Sequence, residues 1–188
     1  MISVNAENMN NTNSVNAEND LVFPTWVLAF GTIFVGIVTS IVLGITYRHQ
    51  KKQGQMSALM EILQDLREEK NRTNRRLSYQ AYNKYEKEKD LSVFSLQEFY
   101  GAISATASHF NQIGILIEKK IIPKEEFFDL YADTVLYCWG SLKEHIENEQ
   151  QIRKNKFYMN YFKSLGKDAE KYWKKNHPDE EFPKPYFR

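Results

Sequence analysis

Leu21 to Tyr47 is a run of 27 residues without one charged side chain, set in a chain of 188 residues that is otherwise polar. No other feature limits the fold as strongly. From Trp26 to Tyr47 the run would reach about 33 Å as a helix at ~1.5 Å per residue, enough for a ~30 Å hydrocarbon layer. Trp26 and Tyr47 stand at its two ends, where amphipathic rings suit the headgroup level, and Pro24 lies near the start, where a missing N–H is tolerated. A cleaved signal peptide would need a positively charged beginning and a shorter apolar core, and residues 1–20 contain no Lys or Arg. The run therefore predicts an uncleaved membrane helix over 21–47.

Charge sets the expected orientation. The first 47 residues carry Glu7, Glu18 and Asp20 and no basic side chain, whereas Arg48, Lys51 and Lys52 follow the run at once. The formal net charge of +1 conceals this split. The positive-inside rule then puts the N-terminus outside the cell membrane and everything from residue 48 in the cytoplasm, with 48–56 as a basic juxtamembrane linker. One face of the span bears Thr32, Gly36, Ser40 and Gly44 at four-residue spacing, a pattern that lets two helix backbones approach and points to a homodimer. Gly, Ser and Thr are also common in membrane helices, so the stripe can equally be background.

Residues 1–20 repeat the hexamer Ser-Val-Asn-Ala-Glu-Asn at Ser3–Asn8 and Ser14–Asn19 and hold almost nothing apolar. They are expected to be a disordered outer tail, too small to read a ligand outside. Asn10-Asn11-Thr12 is a glycosylation triplet on that side.

Residues 57–175 read as helices, since prolines are few there and no alternating strand pattern is sustained. Four helices are expected, at about Ser57–Lys89, Leu96–Ile121, from Pro123 onward through Ile146, and Ile152–Lys175. Ser95 and Glu98 have the spacing of a capping box for the second. Each has one apolar face, so the fold class is all-α: a membrane helix followed by a cytoplasmic bundle of about four helices. Residues 176–188 hold three prolines and are expected to be irregular.

Chemistry is sparse. Cys138 is the one cysteine, which excludes a disulfide scaffold, and it falls on an apolar face as a buried thiol. His145 is read as an exposed residue among carboxylates. No metal-ligand spacing, glycine-rich phosphate loop or nucleophile elbow occurs, so no catalytic residue, cofactor or metal is assigned. Basic clusters are the remaining signal. One lies at Arg67–Arg76. The other is a stripe of Lys156, Lys163, Lys167, Lys171 and Lys174 on the fourth helix. A solvated polar face is the default for both. The alternatives are an anionic leaflet, on which Arg48, Lys51 and Lys52 already hold the chain, an unknown protein partner, or nucleic acid as the less favoured partner.

The stretch "FNQIGILIEKKIIPKEEFFDLYADTVLYCWGSLKEHI" from Phe110, followed by Arg153 and "YMNYFKSL", resembles the membrane-anchored helical family called domain of unknown function 4760. The resemblance covers about residues 22–165. It implies a single-pass prokaryotic membrane protein with an α-helical cytoplasmic domain, and it carries no activity or site residues. Arg153 is the polar position to test, either paired with a carboxylate on a neighbouring helix or marking a groove. The expected function is an interaction or regulatory module. Its competitors are a membrane-tethered enzyme with a site assembled between helices and a membrane-tethered nucleic-acid binder.

Overall fold

The computed structural model describes residues 14–180 and 182–183, with side-chain surroundings from residue 26. Asn10 and its triplet lie outside these residues. All regular structure among the described residues is helical: α1 (Ser14–Arg67), α2 (Glu69–Glu88), a short 3-10 helix (Leu91–Ser95), α3 (Gln97–Glu118), α4 (Lys124–Ile152) and α5 (Asn160–Asn176). The all-α expectation holds. The chain divides into two units, one up to Lys51 and one from Lys52 onward.

The first unit is the leading part of α1, which starts at Ser14, inside the stretch expected to be disordered. Every described side chain from Trp26 to Gln50 is exposed. An 18-residue window here has a mean hydropathy of 2.3 with none of it buried. Residues 48–56, expected as a linker, are helical.

The second unit packs α3 chiefly against α5 and α2, and α4 chiefly against α5. Leu59, Leu63 and Leu66 of α1 join its core. At the centre the Phe110 and Phe162 rings stack at 5.4 Å, and Trp139 meets Phe162 edge-on at 5.3 Å. Two glycines make this possible. A Cβ on Gly114 of α3 would lie 2.5 Å from the Tyr161 carbonyl oxygen, and one on Gly166 of α5 would overlap the Trp139 indole. The α2–α3 contact uses small polar groups instead, with the Ser78 hydroxyl donating to Thr106 Oγ1 at 3.1 Å.

Several boundaries differ from the sequence expectation, each for a visible reason. The helix expected over 57–89 breaks at Glu68, where ψ is 139°. Asn71 Nδ2 donates to the Asp65 carbonyl and to Asp65 Oδ1, both at 2.8 Å, and Arg75 Nη2 donates to the Leu66 carbonyl at 2.8 Å. These side chains satisfy carbonyls that a helix end leaves open, so α1 can stop there. Among the described residues the break makes five α-helical segments in this unit, not four, with the 3-10 helix in addition. The Ser95–Glu98 capping box is not formed. Leu96 takes the N-cap without a side-chain bond, while Asp90 caps the 3-10 helix by accepting from the Ser92 N–H at 2.8 Å. Pro123 is the N-cap of α4, one place before the expected first turn.

Three helices end in left-handed residues that are not glycine: α2 at Lys89, with φ 54°, α3 at Lys120 and α4 at Lys154. Lys120 has φ 56° and Lys154 has φ 49°. Beyond them the Ile121 N–H donates to the Leu116 carbonyl at 2.9 Å and the Asn155 N–H to the Gln150 carbonyl at 3.0 Å. This six-to-one bond defines the Schellman ending. It stops α3 at Glu118, short of Ile121, and it separates α4 from α5 over residues 153–159.

Candidate functional site at the α4–α5 connection

The connection between α4 and α5 brings together exposed charged, amide and apolar side chains of the second unit. Arg153 caps α4, and its Nε donates to Glu149 Oε2 at 2.7 Å. That partner sits on its own helix, one turn back, not on a neighbouring helix as expected. The Arg153 guanidinium also lies 4.5 Å from the centre of the Tyr158 ring. The Glu149 hydrogen bond and the Tyr158 hydroxyl raise the Arg153 pKa further.

Lys156 does not belong to the fourth-helix stripe, because α5 begins only at Asn160. It lies in the connection, with Nζ 5.3 Å from the Phe157 ring centre. Lys163 is on α5 and pairs with Glu147 of α4 at 3.1 Å. These two lysines line one open depression of about 560 Å³, together with Glu147, Gln150, Gln151, Lys154, Asn155 and Phe157. Lys167, Lys171 and Lys174 continue along the exposed side of α5, with Lys174 Nζ 5.2 Å from the Phe182 ring centre.

Sequence periodicity missed Ile152 and Phe157, which are 66% and 70% exposed at the two shoulders of the connection. Neither belongs to an apolar helix face, which is why a search for faces passes over them. The signal that marks them is the polar run from Gln150 to Lys156 between two amphipathic patterns. Glu147 and Glu149 are both engaged with bases. Lys154 and Lys156 have no acidic partner among the described residues, so the connection carries a local positive excess.

The other predicted positions are scattered. The Arg67–Arg76 cluster is not a free basic stripe. Arg75 reaches back to Leu66, Arg67 Nε donates to the Tyr131 hydroxyl at 3.2 Å, and Arg72 pairs with Glu69 at 3.6 Å. Arg48, Lys51 and Lys52 are exposed on α1. Along the small-residue face, Thr32 Oγ1 donates to the Leu28 carbonyl at 2.6 Å and Ser40 Oγ to the Gly36 carbonyl at 2.8 Å. Both hydroxyls are thus satisfied within the helix. A Cβ on Gly36 or Gly44 would meet nothing within 4 Å.

Buried polar groups occur elsewhere. Cys138 is fully buried, as expected, and its sulfur lies 3.1 Å from the Tyr79 hydroxyl. Burial pushes the thiol up to about 12. His145, expected to be exposed, is 7% exposed, with its ring 5.1 Å from that of Phe94. It faces inward because the 3-10 helix brings Phe94 over this position of α4. Among the described residues no group of three or more His, Cys, Asp or Glu side chains converges as a metal site.

No curated protein and no solved structure shows a significant match to the chain. The family model described as a domain of unknown function, DUF4760, matches residues 26–169, from the apolar part of α1 into α5. With well over half its length matched, the chain belongs to the DUF4760 family.

Proposed function

We infer that the protein is a single-pass membrane anchor whose helical unit, on the cytoplasmic side of a cell membrane, serves as an interaction or regulatory module. One observation carries the anchor. Fourteen large apolar side chains from Trp26 to Tyr47 are each at least 42% exposed, with no charge among them. A surface of that size in water is strongly unfavourable at ~25 cal/mol per Å², and a hydrocarbon layer removes the cost. The basic side chains Arg48, Lys51 and Lys52, all on the C-terminal flank, support the inward orientation. The exposed Ile152 and Phe157 beside unpaired lysines support the interaction role. Pairing of two spans along Thr32, Gly36, Ser40 and Gly44 is part of this reading.

Protease accessibility tests the orientation. An epitope at the C-terminus is expected to resist trypsin added to intact spheroplasts and to be cut in inverted vesicles. The opposite pattern would place the helical unit outside. For the pairing, Gly36→Leu is expected to lower the signal of a membrane-association reporter, and an unchanged signal contradicts it.

A further inference from the structure

The depression at the α4–α5 connection combines three kinds of chemistry. Its lysines Lys154 and Lys156 have no acidic partner among the described residues, while Lys163 is already held by Glu147. Its lining includes the exposed Phe157, and Ile152, also exposed, follows the lining residue Gln151 in the chain. Its lining also offers side-chain amides. Gln150 Nε2 is spent on the Tyr158 carbonyl at 2.7 Å, and Asn155 Oδ1 accepts the Phe157 N–H at 3.0 Å. The Gln151 side chain is exposed and its amide makes no hydrogen bond among the described residues, and the Asn155 amide nitrogen is likewise unused. The volume of about 560 Å³ is within the ~300–1,000 Å³ of ordinary ligand clefts.

We propose that this connection is a docking site for an acidic peptide segment carrying at least one large apolar side chain. Each part of such a segment finds a counterpart. Carboxylates meet Lys154 and Lys156, the apolar side chain lies against Phe157 and Ile152, and backbone groups meet Gln151 and Asn155. Charge complementarity selects the sign of the partner and speeds encounter, while the apolar contact supplies most of the affinity. A bare anionic bilayer would use the lysines and the apolar pair but would leave the amides without partners of fixed geometry. The connection also lies at the far end of α4 from the α3–α4 turn. At that turn Gln55 Nε2 donates to the Lys120 carbonyl at 2.8 Å. At ~1.5 Å per residue the 29 residues of α4 separate the two ends by about 43 Å. The left-handed Lys154, with φ 49°, lies in the turn that ends α4 and so sets where the connection leaves the helix.

The site deepens the interaction-module reading and rests on it, so the test separates the two. The full chain is placed in nanodiscs of zwitterionic lipid and titrated with a fluorescent twelve-residue peptide in which Glu alternates with Leu and Phe. A control peptide has Lys in place of every Glu. The acidic peptide is expected to bind and the basic one not. Phe157→Ser, and separately Lys154→Glu with Lys156→Glu, are each expected to weaken binding by about tenfold or more. Both are surface changes, and an unchanged helical circular dichroism spectrum confirms folding. Equal binding of the two peptides, or undiminished binding by the variants, overturns the proposal. So does transfer of the connection onto discs of anionic lipid in preference to the peptide. A chain that never enters the discs contradicts the anchor instead, and the titration is then repeated on the detergent-solubilised chain.

Discussion

Two imidazoles sit inside the helical unit and are held neutral there. Burial lowers the pKa of His145 below the ordinary 6.5, with Glu149 opposing and Arg153 reinforcing the shift. Burial likewise lowers His109, against the pull of Asp65, whose Oδ2 is 2.8 Å from Nε2 but off the line of a hydrogen bond. The unfolded chain takes up protons near pH 6.5 that the folded chain refuses. Stability is therefore complete above that value and declines as pH falls from 6.5 toward the lower folded values. The urea midpoint of the detergent-solubilised chain is expected to drop between pH 7.5 and pH 5, and His145→Met is expected to shrink that drop. A midpoint that rises over the same interval would contradict the burial of these rings. Cys138 offers a second residue-level test. With its thiol pushed up to about 12, it is expected to resist alkylation at pH 8 until the chain is unfolded. Its burial was legible, because it falls on the apolar face of α4. The inward position of His145 was not, because the ring it packs against comes from Phe94, 51 residues earlier, in a 3-10 helix that no periodicity announces.

Helices in this chain are positioned by their ends and by close approaches as much as by their faces. Gly166 and Gly140 make a controlled pair. Alanine at Gly166 would overlap Trp139 and is expected to cost about 1–3 kcal/mol, whereas a Cβ at Gly140 meets nothing within 4 Å. Gly140→Ala is expected to stabilise by up to about 1 kcal/mol through helix propensity alone. Thermal melts of the two variants should move in opposite directions. Lys120→Gly relieves a left-handed residue with φ 56° and is expected to raise the melting temperature by about 2–4 °C. The apolar faces of α3, α4 and α5 were legible from spacing, and Phe110, Val135, Leu142 and Phe162 are fully buried as that spacing implies. The break at Glu68 was not. It depends on Asn71 and Arg75 reaching backward to carbonyls of α1, and such bonds leave no periodic trace. The same holds for the Schellman endings, since Lys120 and Lys154 occupy places where a glycine would have announced the turn.

Across the whole molecule, the separation between an uncharged helical stretch and a helical unit with its own aromatic core is the feature that sequence made clearest. The boundary between the two units falls beside Lys51 and Lys52, the last of the basic side chains that follow the apolar run. The candidate docking surface was only half legible. Lys156 and Lys163 stood out by charge, but as members of a helical stripe, and Arg153 only as a polar position in the family resemblance; the connection that regroups them exists only because α4 stops at Ile152. The anchor remains the central claim, and membrane extraction tests it most directly. Membranes from cells making the full chain are washed in alkaline carbonate, beside a variant with Ile37→Arg and Ile41→Asp. Each charge adds about 2.5–3.5 kcal/mol to insertion near the centre of a span. The account predicts that the native chain stays in the membrane pellet and the doubly charged variant does not. Recovery of the native chain in the wash would contradict it.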